Sequence, residues 1–317
     1  MDIHRFLPGQ EIPNFDHSLL ASQLANEHLV LEDGAARCTL WWDVVPSYPS
    51  ERLGVIGHFH SQSPEAGRYV LEYAAQRLRE AGCPLAVGPM DGNTWRRYRV
   101  LTERGAEPPF FMEPDNPDTW PAAFDLAGFS ALATYSSHLV TDLTQRDPRT
   151  ARTLDRLQRN GVKIRSLDPA HFEDDLRSIY QVSVVSFSEN YLYTELSESA
   201  FLSQYTPYKE KILPELVLIA EHAGQPVGYL FAIPDYAEAL RGEPVRTVIG
   251  KTLAILPGRR YAGLGVVLTD LLHERSHAMG FTRLIHALQH ESNKVRNMSE
   301  HFGSVMRRYT LYSRALS

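Results

Sequence analysis

Apolar and β-branched residues run almost unbroken from Thr247 to Leu256, as in a strand covered on both faces. The pattern then changes period. Leu264, Val267, Leu268, Leu271, Leu272 and Met279 recur at helical spacing, while Asp270, His273, Glu274 and His277 form a polar side, which predicts a helix over Leu264 to Met279. Gly280 follows as a stop. Leu284 to Leu288 reads as a second buried strand, Ser292 to Phe302 as a short helix, and Val305 to Tyr312 alternates as a final strand.

The front of the chain repeats this plan. Gly54 to Phe59 predicts a strand, Glu65 to Ala81 a helix with Ala66, Tyr69, Val70, Tyr73, Ala74, Leu78 and Ala81 on one face, and Pro84 to Val87 the next strand. Gln62 precedes Gly82 by 20 positions and Arg260 precedes Gly280 by 20, both pairs being offset by 198. Gly128 with Tyr135 also mirrors Gly303 with Tyr309, at offsets of 175 and 174. The expectation is two related domains, 1–145 and 161–317, with the join near Asp142 to Asn160, where charged residues predict an exposed helix or linker over 146–160. Between Thr102 and Trp120 the first repeat carries a Pro-rich segment expected to be an extended loop, with Phe110, Phe111 and Met112 packed beneath it.

Between the strand and the helix of the second repeat lies Arg260-Tyr261-Ala262-Gly263-Leu264-Gly265. Two glycines permit a sharp turn and a close backbone approach, and the helix start offers unpaired N–H groups and a partial positive charge to a phosphate. A dinucleotide-binding crossover would instead want G-x-G-x-x-G and a downstream acidic residue, and neither is present. The spacing Arg/Gln-x-x-Gly-x-Gly/Ala resembles the acyl-CoA pyrophosphate loop of the GCN5-related N-acetyltransferases, and the order of elements from Gly161 to Ser317 is similar to theirs. In the first repeat the loop reads Gln62-Ser-Pro-Glu65-Ala-Gly67, with glutamate in place of the first glycine. A carboxylate at a helix start takes the place of the bound anion and repels it, so the first domain is expected to have lost cofactor binding.

The resemblance implies an α/β fold, a mixed α+β sheet in two tandem domains, and transfer of an acetyl group from acetyl-CoA to a primary amine of a small molecule or peptide. It places the pantetheine arm along the backbone of Leu253, Ala254 and Ile255, the pyrophosphate on Arg260 to Gly265, and a further cofactor contact on Asn293. The family often has a tyrosine about seven residues after that asparagine, to protonate the departing thiolate. Here Glu300 stands there, beside His301, and a thiol of pKa near ~8.5 can take its proton from solvent. For the base the first candidate is His286, on the strand expected to border the cleft, against the alternative of a hydrogen-bonded core histidine. The second is Glu189, within Ser186 to Tyr193, where the family builds its acceptor pocket. Tyr191, Tyr193 and Lys251 are the expected substrate contacts, Lys251 being a charge in an otherwise apolar run.

Two other classes compete. The departure at Glu300, where the tyrosine is missing, suits a non-catalytic acyl-CoA-binding or regulatory protein. His273-Glu-Arg-Ser-His277 matches the zinc-peptidase pattern H-E-x-x-H, but both histidines are expected on the polar side of the helix, and Arg275 and Ser276 do not suit a helix buried beside a metal cleft, so no metal is expected. Cys38 and Cys83 show no metal or redox spacing. With 43% hydrophobic and 22% charged residues, a net charge of -6, no long basic run, no membrane-length apolar run and no signal-like start, the chain is expected to be cytoplasmic, without nucleic-acid or membrane partners.

Overall fold

A computed structural model describes residues 2–46, 48, 52–291, 299 and 301–316. The first half contains β1 (Ile3–Phe6), α1 (Ser18–Ser22), β2 (Glu27–Leu31), β3 (Ala36–Trp41), β4 (Leu53–Ser61), α2 (Pro64–Glu80), β5 (Leu85–Gly88), β6 (Val100–Glu103), α3 (Thr119–Leu126) and β7 (Ser130–Val140). The second contains α4 (Thr150–Arg159), β8 (Val162–Ser166), α5 (Phe172–Phe187), α6 (Glu198–Tyr205), β9 (Val217–His222), β10 (Gln225–Pro234), α7 (Tyr236–Leu240), β11 (Thr247–Ile255), α8 (Leu264–Ala278), β12 (Arg283–His290) and β13 (Ser304–Ala315). Each strand and helix expected from the pattern within the described residues is present within three residues at either end. The helix expected over Ser292 to Phe302 falls largely outside the described residues, as do Asn293 and Glu300.

Among the described residues the strands form one mixed sheet in the order β1-β2-β3-β4-β5-β13-β7-β12-β11-β10-β9-β8, with β6 on β13. The two halves exchange their last strands. β13, at the end of the second half, pairs with β5 of the first, and β7, at the end of the first half, pairs with β12 of the second. β7 and β13 then pair with each other, and the repeat-related Tyr135 and Tyr309 lie directly opposite. The strands that close the two sheets thus cross between the halves at the centre of the molecule.

Local chemistry explains the helices that flank the sheet. Ser63 caps α2 through a hydrogen bond from the Ala66 amide to its hydroxyl, and Val70, Leu71, Ala74 and Leu78 bury one face against the first-half sheet. α8 buries Leu264, Val267, Leu268 and Leu272 against the second-half sheet, and α5 and α6 cover the opposite face around Leu176, Ile179 and Phe201. The charged stretch at the join is largely helix α4. It packs on α8 through the buried Leu157. The Pro-rich segment is a loop whose Phe111 amide donates to the Asp235 carboxylate at 2.7 Å, fastening it across to the second half. Phe110 is buried and Phe111 packs beside it, whereas Met112 lines the cavity described below. Among the described residues no helix is long and apolar enough to cross a membrane. Cys38 and Cys83 are free and buried.

Candidate acyl-transfer site

β11 and β12 run parallel from Thr247 opposite Arg283 to Gly250 opposite His286, and there their pairing stops. Both strands continue, to Ile255 and His290, so a wedge opens between them. Bulges on both strands produce it. On β11, Gly250 and Thr252 face consecutive residues of β10, which leaves Lys251 as the extra residue. On β12 the register to β7 shifts between His286 and Gln289, Leu288 takes a left-handed φ of 58°, and its amide donates to the Ser137 hydroxyl at 3.0 Å. The β10 side of Leu253, Ala254 and Ile255 is fully paired, so their β12 side is the edge that faces the wedge.

The glycine loop follows directly. Gly263 caps α8 at a left-handed φ of 81°, and no side chain accepts a hydrogen bond from the first-turn amides. Arg259 and Arg260 are exposed and form no ion pair with any described residue. α4 braces the loop from behind, where the Arg156 guanidinium donates to the Ala262 carbonyl and the Thr153 methyl would lie 2.8 Å from a Cβ added at Gly263. Free amides, unpaired arginines and a backbone without a Cβ suit a pyrophosphate. Tyr261 is half-buried and near His222, and a Cβ added at Gly265 would meet the Leu253 side chain at 3.5 Å.

A cavity of about 1820 Å³ lies beneath the wedge, between the two halves. It brings together Glu189, Tyr191, Tyr193, Lys251, Leu253 and His286 from the sequence-predicted set. Ala254, Ile255 and residues 260–265 are not among its lining; Leu264 is buried under the loop. Glu189 is exposed at the mouth, while Tyr191 makes an edge contact with Tyr48 and Tyr193 one with Trp95. Burial pushes the Tyr191 and Tyr193 hydroxyls above the ordinary tyrosine range. The Lys251 ammonium meets no carboxylate among the described residues, and burial, helped by the nearby Arg99 cation, brings its pKa down to about 8.

His286 borders the wedge, but both its ring nitrogens are engaged. Nδ1 is 2.8 Å from the Ser299 hydroxyl and Nε2 is 3.0 Å from His273 Nε2. Burial, with His273 and then His138 adding to it, holds the ring well below its ordinary pKa, so it is neutral. This is the geometry of the hydrogen-bonded core alternative, and the ring offers the cavity no free nitrogen. The expectation that His273 lies on the polar side of its helix is corrected. It is fully buried, stacked on His286 and edge-on to Phe302, and its pKa is lowered by burial to about 4. His277 is exposed, and among the described residues no three metal-binding side chains converge.

Sequence reasoning missed the first half's contribution. Trp95, Arg96, Tyr98, Arg99 and Tyr135 line the same cavity, and the Trp95 indole donates to the Thr194 carbonyl at 2.7 Å across the halves. The available signal was Thr94-Trp-Arg-Arg-Tyr-Arg99, a basic run interleaved with aromatics and free of carboxylates. The first half's own wedge is closed. β4 and β5 pair from Leu53 to Val55, but the Met90 amide then donates to the Ile56 carbonyl at 2.8 Å and the His58 amide to Asp91 at 2.6 Å. A Cβ on Gly57 would lie 2.0 Å from the Met90 carbonyl oxygen, so the backbones touch where the second half opens.

A parallel strand pair leading through a turn into a helix, present twice in one continuous mixed sheet and splayed at a glycine turn in the second half, is the fold of the GCN5-related N-acetyltransferases, here in tandem. Solved structures agree. A GCN5-related N-acetyltransferase from Sphaerobacter thermophilus matches with a TM-score of 0.52 at 13% identity, over 92% of this chain and 80% of its own. The glucosamine N-acetyltransferase region of a fungal multi-domain β-N-acetylglucosaminidase gives a TM-score of 0.54 at 13% identity over 91% of this chain, which spans 33% of that protein. A GCN5-related N-acetyltransferase from Anabaena variabilis gives 0.50 at 9% identity, over 96% of this chain and 66% of its own. No family model matches the sequence, and no curated protein matches it.

Proposed function

We propose that this protein is an acetyl-CoA-dependent N-acetyltransferase acting on a primary amine, with one working site in the second half. The observation that carries the reading is the wedge between β11 and β12, open in the second half and closed in the first, set against an uncapped helix start. When bound, acetyl-CoA supplies an activated acetyl thioester. Arg260 and the amides of Gly263 to Gly265 hold its pyrophosphate, and the free edge of Leu253 to Ile255 orients its arm. Asn293 is proposed as a further contact. Tyr191 and Tyr193 wall the acceptor side, and Glu189, which pairs with no described cation, takes the proton from the incoming amine at the mouth. The His286–His273 pair keeps the strand rigid.

A non-catalytic acyl-CoA-binding protein is the second reading, favoured by the absence of a free His286 nitrogen. Calorimetric titration with acetyl-CoA, followed by thiol release with a panel of primary amines, separates the two. One equivalent bound and thiol released supports transfer; binding without turnover supports the second reading, and no binding refutes both.

A further inference from the structure

Arg99 belongs to the first half by sequence but lies in the second half's cavity. It is 7% exposed, its guanidinium carbon sits 4.0 Å and 4.1 Å from the ring centroids of Tyr98 and Tyr135, and its hydrogen bond goes to the Leu288 carbonyl at 3.3 Å. Its Nε is buried with no partner. Its backbone is held at a φ of 68°, which a non-glycine residue rarely adopts and which marks a position fixed by its surroundings. Lys251, on the bulge of β11, is the neighbouring cation and likewise meets no carboxylate among the described residues.

Buried cations are normally paired, because desolvation without an opposite charge is costly. Two of the three described carboxylates of this cavity are committed to other cations, and the third is exposed. Glu113 pairs with Arg307 at 3.0 Å and accepts from the Tyr309 hydroxyl, Asp115 pairs with Arg104 at 2.7 Å, and Glu189 is exposed at the mouth. Stacking on two tyrosines stabilises the Arg99 cation in part but leaves its Nε–H unsatisfied. The anion that fits is not the pyrophosphate, whose loop lies beyond the far end of β11.

We propose that Arg99 and Lys251 form a carboxylate-binding subsite, so that the acceptor is an amine that also carries a carboxylate, as an amino acid does. The idea rests on the acyl-transfer reading for its choice of acceptor, while the anion site stands on its own geometry. The inactive half thereby supplies the group that selects the substrate.

The test compares amine pairs that differ by one carboxylate, phenylalanine with phenethylamine and lysine with cadaverine. Each is titrated by calorimetry into the full-length wild type, Arg99→Met and Lys251→Met, with circular dichroism to confirm folding. The acid of each pair should bind the wild type about 10- to 100-fold more tightly than its partner, the range for a hydrogen-bonded charge pair. Arg99→Met should bring that ratio close to one. If Arg99→Met does not fold, Lys251→Met should still lower the ratio severalfold. A ratio near one in the wild type, a ratio unchanged in the folded variants, or no binding of any member at millimolar concentration overturns the proposal. Carboxylate preference without acetyl-CoA binding upholds the subsite and refutes acyl transfer, and acetyl-CoA binding without the preference does the reverse.

Discussion

Replacing Gly263 with alanine tests the loop in two separable parts. A left-handed backbone costs an L-residue about 1–2 kcal/mol, and Gly263 sits at a φ of 81°. The added Cβ would lie 2.8 Å from the Thr153 methyl, inside any normal contact, and overpacking of this kind costs about 1–3 kcal/mol. Together they amount to about 2–5 kcal/mol, or roughly 3–8 °C in melting temperature for a chain of this length. Thr153→Ser removes the offending methyl and keeps the hydroxyl, so Gly263→Ala/Thr153→Ser should recover the packing part while the backbone part remains. Thermal melts by circular dichroism on the four proteins read this directly. An alanine variant that melts with the wild type would refute the left-handed turn, and a double variant no better than Gly263→Ala would refute the packing of α4 on the loop. Gly263→Glu, which copies the first repeat, carries the same strain, so its loss of acetyl-CoA binding has to be judged against Gly263→Ala.

Further outcomes follow from buried charges. The folded-state pKa of Lys251 lies below its unfolded value, so folding is penalised while the group is charged in both states, and the penalty is relieved as pH rises from about 8 towards 10.5. Lys251→Met should therefore stabilise the fold at pH 7 by on the order of 3 kcal/mol, read as a raised melting temperature, and the gain should fade by pH 10.5; a pH-independent difference would be wrong for this account. His273 is also depressed, to about 4, so its contribution is present above the unfolded value of 6.5 and is lost as pH falls towards 4. His273→Gln should flatten that part of the melting-temperature profile, and a profile as steep as the wild type's would count against the buried neutral pair. Glu113→Gln leaves the buried Arg307 without its counter-charge and should destabilise by about 3–5 kcal/mol in urea unfolding, whereas Glu113→Gln/Arg307→Met should recover much of it.

The strands and helices around both repeats were legible because their periods are strong and their glycines sit at turns, and the 198-residue offset exposed the repeat. The exchange of β7 and β13 was not. A strand alternates identically whether it closes its own sheet or its neighbour's, so the pattern carries no information on the partner. The cofactor edge at Leu253 to Ile255 was expected only through resemblance, and the wedge itself was not foreseen, since bulges at Lys251 and Leu288 depend on pairing across strands. His273 was misplaced for a similar reason. Helical spacing puts it with Asp270 and Glu274, but Phe302 and His286 arrive from distant sequence and enclose it. Arg99 was overlooked because the first repeat looked inactive, and its cavity exists only once the two halves meet.

The crossing of β7 and β13 has a consequence for how this gene can change. A half whose wedge is closed would ordinarily be free to be deleted, yet here each half owns the strand that finishes the other. Severing the chain within 142–160 would give two pieces, each bearing a strand that belongs in its counterpart's sheet, so neither is a self-sufficient protein and the pair should be recoverable only by co-expression. The exchange makes the two halves mutually dependent in architecture, so the half with the closed wedge is kept by its strand whether or not it holds a ligand.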